Sequence, residues 1–248
     1  METKRVDAGH GWDWVAQAFE LYRKNPLIWT SLLAVYMIIA VVVSLVPFVG
    51  QIIMTLLAPV FLAGFMIGCR AQAMGDELEL AHLFEGFKHN PAQLITVGGF
   101  YLLGQFAVIL VFLGVMAATI GLPALANMEH MGNNPDPELA LQMAESIWLG
   151  VLVGLALFIP VLMGMWFSPA LIVFDNLGAV EAIKTSFNAC IRNFIPFLIY
   201  GIVTFVFALV ASIPFFLGWL ILFPVLTITA FTSYRDIFTP EDEVQSAP

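Results

Sequence analysis

The chain has 248 residues, of which 60% are hydrophobic and 11% are charged, and its formal net charge at pH 7 is −9. Soluble domains contain about 45–50% apolar and about 25% charged residues, so this chain has too little charge to cover a water-facing surface. The composition excludes a soluble enzyme, a nucleic-acid-binding protein and a disordered protein, and it predicts a polytopic membrane protein.

Six continuous apolar stretches are long enough to cross a bilayer as helices, which takes about 20 residues each. They lie at roughly 27–47, 50–69, 93–118, 147–173, 194–213 and 215–234. A β-barrel would instead show alternating segments of about ten residues. The predicted fold class is therefore all-α, with one membrane domain over residues 1–238 and an acidic, disordered tail at 239–248.

The basic residues predict the orientation of these spans. All nine lysines and arginines lie in the N-terminal segment, in the loops at 70–91 and 174–193, or in the C-terminal tail. The long loop at 119–146 and the two tight turns contain none. By the positive-inside rule, both termini and the two basic loops are predicted to be cytoplasmic. Cys69 and Cys190 would then face the reducing side of the membrane, and their spacing matches no metal motif.

A short pattern recurs before the first, third and fifth spans, where a phenylalanine lies six residues before an asparagine with a basic residue between them. The pairs are Phe19 with Asn25, Phe84 with Asn90, and Phe187 with Asn193. The other three spans each contain a proline followed by a valine, at Pro59, Pro160 and Pro224. Two features that recur in the same order predict three units of one shape, at about 13–70, 78–173 and 180–235.

The segments before the odd-numbered spans are amphipathic at helical spacing. In the first segment one face carries Trp12, Val15, Phe19 and Tyr22. In the second, Asp76 and Glu79 resemble a capping box that starts the helix. Such helices suit the membrane surface, and we expect each to be a structural elbow that orients a membrane hairpin. The alternative is a lipid or partner sensor, although the mixed charges lack the polybasic cluster of anionic-lipid recognition.

The three repeated prolines allow two interpretations. Together they would unwind their helices and expose carbonyls to a cavity, as the broken helices of transporters do. As ordinary kinks, they would only shape helix packing. No ionisable residue lies deep in a predicted span, which argues against an ion-coupled transporter. The pairs Gly64-x3-Gly68 and Gly150-x3-Gly154 permit close helix contacts, either within one chain or between chains.

Residues with metal-binding chemistry do not form a strong motif. Glu79, His82, Glu85 and His89 share one helix face, but a carboxylate-bridged metal site needs a second Glu-x-x-His motif. Methionine and histidine at 127–131 would suit Cu(I), without matching a strict spacing. Hydrolase, zinc-protease and phosphate-loop motifs are absent from the sequence. We therefore predict no catalytic, cofactor-binding or metal residue, and no enzymatic activity.

The Phe-x5-Asn elbows, the proline-bearing return helices and the stretch Ala182-Ile-Lys-Thr-Ser186 resemble a proteobacterial inner-membrane family of unknown function, over residues from about 12 to 238. More loosely, the pattern resembles the membrane domain attached to some glycerophosphodiester phosphodiesterases, whose catalytic domain has no counterpart in this sequence. The resemblance implies a multi-pass protein of the bacterial inner membrane.

Architecture and resemblance together favour a non-enzymatic scaffold, assembly or envelope-homeostasis protein. Its expected partners are the lipid bilayer and other membrane proteins, with homo-oligomers allowed and nucleic acid excluded. The alternative function is a transporter or channel for a neutral or amphiphilic solute, with the prolines as its site.

Overall fold

The computed structural model describes residues 3–121 and 137–239, and this part of the chain is helical with short connections. Its α-helices are α1 (His10–Lys24), α2 (Pro26–Ser44), α3 (Val49–Ala73), α4 (Pro91–Ile120), α5 (Pro137–Trp166), α6 (Ser168–Asp175), α7 (Ala179–Arg192), α8 (Phe194–Ser212) and α9 (Trp219–Phe238). A 3₁₀ helix, Leu80–Phe87, lies between α3 and α4. The predicted acidic tail, apart from its first residue, falls outside the described residues.

Six helical segments are long and apolar enough to cross a membrane, with mean hydropathies between 1.3 and 2.5. They are Pro26–Ser44, Val49–Ala73, Pro91–Ile120, Leu141–Asp175, Phe194–Ser212 and Trp219–Phe238. The prediction of an all-α protein with six membrane helices is confirmed. The second segment runs past its predicted end at 69 because the polar Gln72 is buried in the protein. The sixth runs past its predicted end at 234 to Phe238, so Arg235 and Asp236 lie in its last turn.

The fourth apolar stretch contains a break that its composition does not indicate. Helix α5 ends at Trp166 and α6 starts at Ser168, with Pro169 in its first turn. The Phe167 N–H at this break donates to Ser186 Oγ (3.0 Å), and Ser186 in turn donates to the Met163 carbonyl (2.6 Å). A serine of α7 therefore satisfies the backbone groups that the break leaves without helical partners.

The chain forms two compact units, one combining residues up to Gly99 with those from Met163 onward, and one comprising Phe100–Leu162. In the first unit, α3 and α9 are the most buried membrane helices, each with 61% of its apolar window covered. Helix α1 packs in the same core through Trp14, which is fully buried. The second unit contains the later part of α4 and the earlier part of α5. The predicted boundaries of the three repeats stay a prediction.

Glycines bring α3 and the 3₁₀ helix into backbone contact. A Cβ at Gly64 would collide with the Leu83 carbonyl oxygen, and one at Gly86 would collide with the Val60 carbonyl oxygen. Small residues allow such close approach between helices in lipid. The contact of Gly64 therefore lies within one chain, which the sequence left open.

Some apolar residues of α1 are buried in the protein, and others are exposed on its surface. Of the predicted face, Val15 and Tyr22 are buried, whereas Trp12 and Phe19 are exposed. The buried side is centred instead on Trp14 and Ala18. Small residues on that side allow α1 to approach α8 closely, and a Cβ at Gly11 would collide with the Pro196 carbonyl.

The predicted capping box at Asp76 and Glu79 is wrong. The Asp76 N–H bonds to the Ala71 carbonyl (2.9 Å) and so belongs to the end of α3. The next element begins later, with Glu79 as its N-cap, and is a 3₁₀ helix. The Glu79 N–H donates to His82 Nδ1 at 3.0 Å. In a capping box the side chain of the third helical residue accepts the N-cap N–H, and here that acceptor is an imidazole instead of the predicted carboxylate.

Two tight turns share an unusual backbone conformation. Phe48 and Phe215 each follow a proline and have φ angles of 61° and 49°. Bulky residues rarely adopt positive φ, so both turns hold strained backbone. The two rings are 87% and 94% exposed, respectively, so packing against the described chain does not account for their conformation.

Candidate interfacial site

Polar side chains collect where α1, α7 and α9 meet the N-terminal segment 3–9. We call this group the end cluster; its members are His10, Trp14, Gln17, Asn193, Arg235 and Asp236. The membrane helix α9 ends at this cluster and α8 begins beside it.

The Asp236 carboxylate is the centre of one half of the end cluster. It accepts hydrogen bonds from Trp14 Nε1 (2.6 Å) and pairs with His10 Nδ1 (2.8 Å). Next to it, Arg235 donates to Gln17 Oε1 at 2.9 Å. Both contacts tie the last turn of α9 to α1, so two distant parts of the sequence are fixed to each other by charge-assisted bonds.

Asn193 forms the other half and is fully buried. Its Oδ1 accepts the Val6 N–H (2.9 Å), and its Nδ2 donates to the Lys4 carbonyl (3.0 Å) and to the Ala189 carbonyl (3.1 Å). The Lys4 N–H donates to the Ile237 carbonyl at 3.0 Å. One carboxamide thus fixes the N-terminal segment against the end of α7.

The three repeated asparagines have one geometric feature in common. Each backbone carbonyl accepts the N–H of the residue four positions on, which starts the following membrane helix: Asn25 from Trp29 (3.1 Å), Asn90 from Leu94 (3.3 Å) and Asn193 from Phe197 (3.1 Å). Their conformations differ, because Asn90 has a φ of 51° while the other two have negative φ. Asparagine tolerates the left-handed region better than most residues. A shared three-dimensional shape of the three units stays a prediction.

The three repeated phenylalanines lie at the surface of the described chain rather than deep in its core. Phe19 and Phe84 are each 44% exposed, and Phe187 is half-buried. The ring of Phe84 packs edge-on against Phe61, with centroids 6.4 Å apart. Their repeated spacing therefore does not indicate core packing.

The repeated prolines have different surroundings. Pro59 and Pro224 are buried in the first unit and lie inside α3 and α9, which continue through them. Pro160 is exposed on α5 in the second unit. The three prolines therefore differ in burial, although each precedes a valine in the second span of a predicted unit.

Asp175 and Asp236 form side-chain hydrogen bonds that no sequence motif predicts. The Tyr234 hydroxyl donates to Asp175 Oδ2 at 2.6 Å, and the Arg70 guanidinium lies 5.1 Å from the centre of the Phe174 ring. Both aspartates lie in the last turn of an apolar helix. An isolated carboxylate at that position would indicate a polar contact at the helix end. By sequence, Asp175 lies in the predicted 174–193 loop and Asp236 lies beyond the predicted sixth span, so neither is predicted to end a membrane helix.

Glu85, on the glutamate–histidine face of the 3₁₀ helix, forms an ion pair with Lys88 and lies near His89. Lys88 Nζ lies 2.6 Å from Glu85 Oε1, and His89 Nε2 lies 3.7 Å from Glu85 Oε2. The hydrogen bond from Lys88 lowers the pKa of Glu85. Among residues 3–121 and 137–239, no group of three histidine, cysteine or acidic side chains is arranged to hold a metal. The methionine–histidine segment at 127–131 lies outside the described residues.

Comparison with known proteins gives the family. A model of a domain of unknown function, DUF7847, matches residues 15–245. A probable inner membrane protein of Burkholderia thailandensis is 33% identical over 217 residues, which cover 86% of this chain and 78% of the relative. No solved structure matches the chain. The resemblance to a proteobacterial inner-membrane family is confirmed, and the chain belongs to the DUF7847 family.

Proposed function

We propose that this multi-pass membrane protein is a non-enzymatic scaffold or assembly factor of the bacterial inner membrane, with both termini in the cytoplasm. Its work is to hold lipids or partner membrane proteins against its exposed helices. The nine basic residues on one side of the spans support the orientation.

A lateral groove in the second unit carries this proposal. It has a volume of about 280 Å³ and is lined by apolar residues of α4 and α5, among them Phe112, Gly154 and Phe158. Gly154 leaves the groove open, since a Cβ there would meet only Val108 Cγ1, at 3.7 Å. An open apolar groove beside a glycine suits the close approach of another helix or of a lipid chain.

The alternative, a transporter that uses the repeated prolines as its site, has less support. A common site requires prolines in similar polar surroundings, whereas Pro59 and Pro224 are buried and Pro160 is exposed. The apolar groove includes none of the three.

Complementation of a deletion strain, scored by its envelope-stress phenotype, tests the two functions against each other. If the protein is a scaffold, Gly154→Leu fills the groove and abolishes rescue, while alanine at each repeated proline preserves it. The control is Gly114→Leu, because a Cβ at Gly114 would meet no atom within 4 Å. Membrane levels of all variants are matched by immunoblot. Loss of rescue in the three proline variants together with full rescue by Gly154→Leu would establish the transporter instead.

A further inference from the structure

A second cavity, in the first unit, has a different chemical character. It has a volume of about 420 Å³ and lies between the N-terminal segment and the junction of α7 with α8. Its polar lining includes Arg5, Asp7 and Arg192, and its apolar lining includes Phe194, Ile195 and Pro196. We propose that this cavity binds the headgroup of a glycerophospholipid, with the phosphodiester between Arg5 and Arg192.

The position of Arg5 is fixed by its neighbours. Asn193 bonds both to the Lys4 carbonyl (3.0 Å) and to the Val6 N–H (2.9 Å), on either side of Arg5. Arg192, the residue before Asn193, donates from Nη1 to Thr3 Oγ1 at 2.9 Å. The buried asparagine therefore fixes the backbone on both sides of Arg5, and the Arg192–Thr3 bond ties the second arginine to the same N-terminal segment.

Both guanidinium groups are available to an anion. Arg5 and Arg192 are exposed, and neither forms an ion pair with an acidic side chain within residues 3–121 and 137–239. Arginine binds phosphate oxygens in a bidentate manner, which fixes both charge and orientation. Asn193 uses its side chain on other groups and does not cap α8, so the first amides of α8, at Phe194 and Ile195, add to the positive potential at the cavity.

The apolar side of the cavity identifies a lipid rather than free phosphate. Phe194 and Ile195 are exposed, and they begin a helix apolar enough to cross the membrane. A phosphate held by the arginines would thus lie at the membrane surface, with a path for acyl chains along α8. Basic pockets between membrane helices on the cytoplasmic side bind the phosphate groups of lipids such as cardiolipin.

Asp7 defines which headgroup fits. Asp7 lines the same cavity as the two arginines, so the lining residues carry two positive charges and one negative charge. The ammonium of phosphatidylethanolamine complements Asp7 while its phosphate complements the arginines. Phosphatidylglycerol has no positive group to offer, so we assign the site to phosphatidylethanolamine.

Lipid exchange on the purified full chain in detergent, followed by native mass spectrometry, tests this assignment. Dioleoyl phosphatidylethanolamine is the probe, and the double variant Arg5→Gln/Arg192→Gln should weaken its binding by about tenfold or more, as expected for loss of charge-assisted bonds. Lys184→Gln is the matched control, since Lys184 is exposed on α7 and outside the cavity lining. Unchanged binding in the double variant would overturn the site.

Further binding experiments distinguish a lipid from a soluble phosphate compound, and phosphatidylethanolamine from phosphatidylglycerol. Inorganic phosphate or soluble glycerophosphoethanolamine should not displace the lipid at millimolar concentration; displacement would mean a site for a soluble phosphate compound. Dioleoyl phosphatidylglycerol should bind more weakly than phosphatidylethanolamine to the wild type, and Asp7→Asn should remove that difference. Equal binding of the two lipids to the wild type would overturn the role of Asp7. Apart from the Asp7→Asn comparison, these arms need only wild-type protein, so they decide the proposal even if the double variant fails to fold.

Discussion

Trp14 and Asp236, which lie 222 positions apart, are joined by a hydrogen bond of 2.6 Å from the indole N–H to the carboxylate. The bond connects the fully buried side chain of α1 to the last turn of α9. Since hydrogen bonds to charged groups contribute about 1.5–3 kcal/mol, Trp14→Phe should lower the free energy of unfolding by roughly that amount.

Unfolding in micelles by titration with SDS measures this loss. Trp148→Phe is the control, because Trp148 is 69% exposed on α5 and its replacement should leave stability unchanged. If both variants unfold at the same SDS fraction as the wild type, the indole bond does not hold α1 to α9.

The carboxamide of Asn193 should be needed to hold the N-terminal segment. Asn193→Ala leaves the Val6 N–H and the Lys4 carbonyl without their partner, at a cost of about 1–3 kcal/mol. The segment should then become accessible to trypsin at Lys4 and Arg5. Asn188→Ala, at an exposed position of α7, should retain protection. Equal cleavage rates in the two variants would show that other contacts hold the segment.

Alanine at Gly86 should disrupt the contact between α3 and the 3₁₀ helix. The added Cβ would collide with the Val60 carbonyl oxygen, which belongs to the backbone and has no freedom to turn away. Overpacking of this kind costs about 1–3 kcal/mol. Gly201→Ala adds the same methyl group where no atom lies within 4 Å, and helix propensity predicts that it is neutral or slightly stabilising. Thermal unfolding in detergent compares the two; equal melting temperatures would mean that the backbones separate freely.

Cys190 should resist alkylation while the protein is folded. Burial raises the pKa of its thiol to about 12 from an ordinary value of 9.0, so little thiolate forms at pH 8. A folded pKa above the unfolded one stabilises the fold below about pH 9, and this contribution is lost as the pH rises from 9 towards 12. In Cys69→Ala, maleimide labelling should be slow at pH 8 and become fast in SDS. Rapid labelling of the folded variant at pH 8 would show that the thiol is accessible.

Much of the fold follows from composition and periodicity. Apolar stretches of sufficient length predicted all six membrane helices, because in lipid each helix must satisfy its own backbone. Single residues at chain reversals were also informative: Asn25 and Asn193 each lie directly between a pre-span helix and a membrane helix. Both inferences depend on local chemistry, which the sequence displays directly.

The end cluster was not predictable in the same way. Asp236 and Trp14 become partners only through tertiary packing, and nothing in either segment specifies the other. The exposed edge of α1 was misjudged for a related reason. In a membrane protein, large apolar residues such as Phe19 are stable facing lipid, so hydrophobicity alone does not distinguish the core from the lipid-facing surface.

Both ends of the chain should lie in the cytoplasm, as the nine basic residues predict. A reporter fused after Glu243 should therefore behave as cytoplasmic, with active green fluorescent protein and inactive alkaline phosphatase. Insertions of the same reporters within 125–140 should give the opposite pattern, since this loop has no lysine or arginine. A fusion in the turn at Leu217 provides a second external control. Introducing four lysines into the 125–140 loop should weaken the charge difference and produce mixed topology, because positive residues resist translocation. Active phosphatase after Glu243 in the unaltered chain would invert the orientation and place the Arg5–Arg192 cavity on the outer surface.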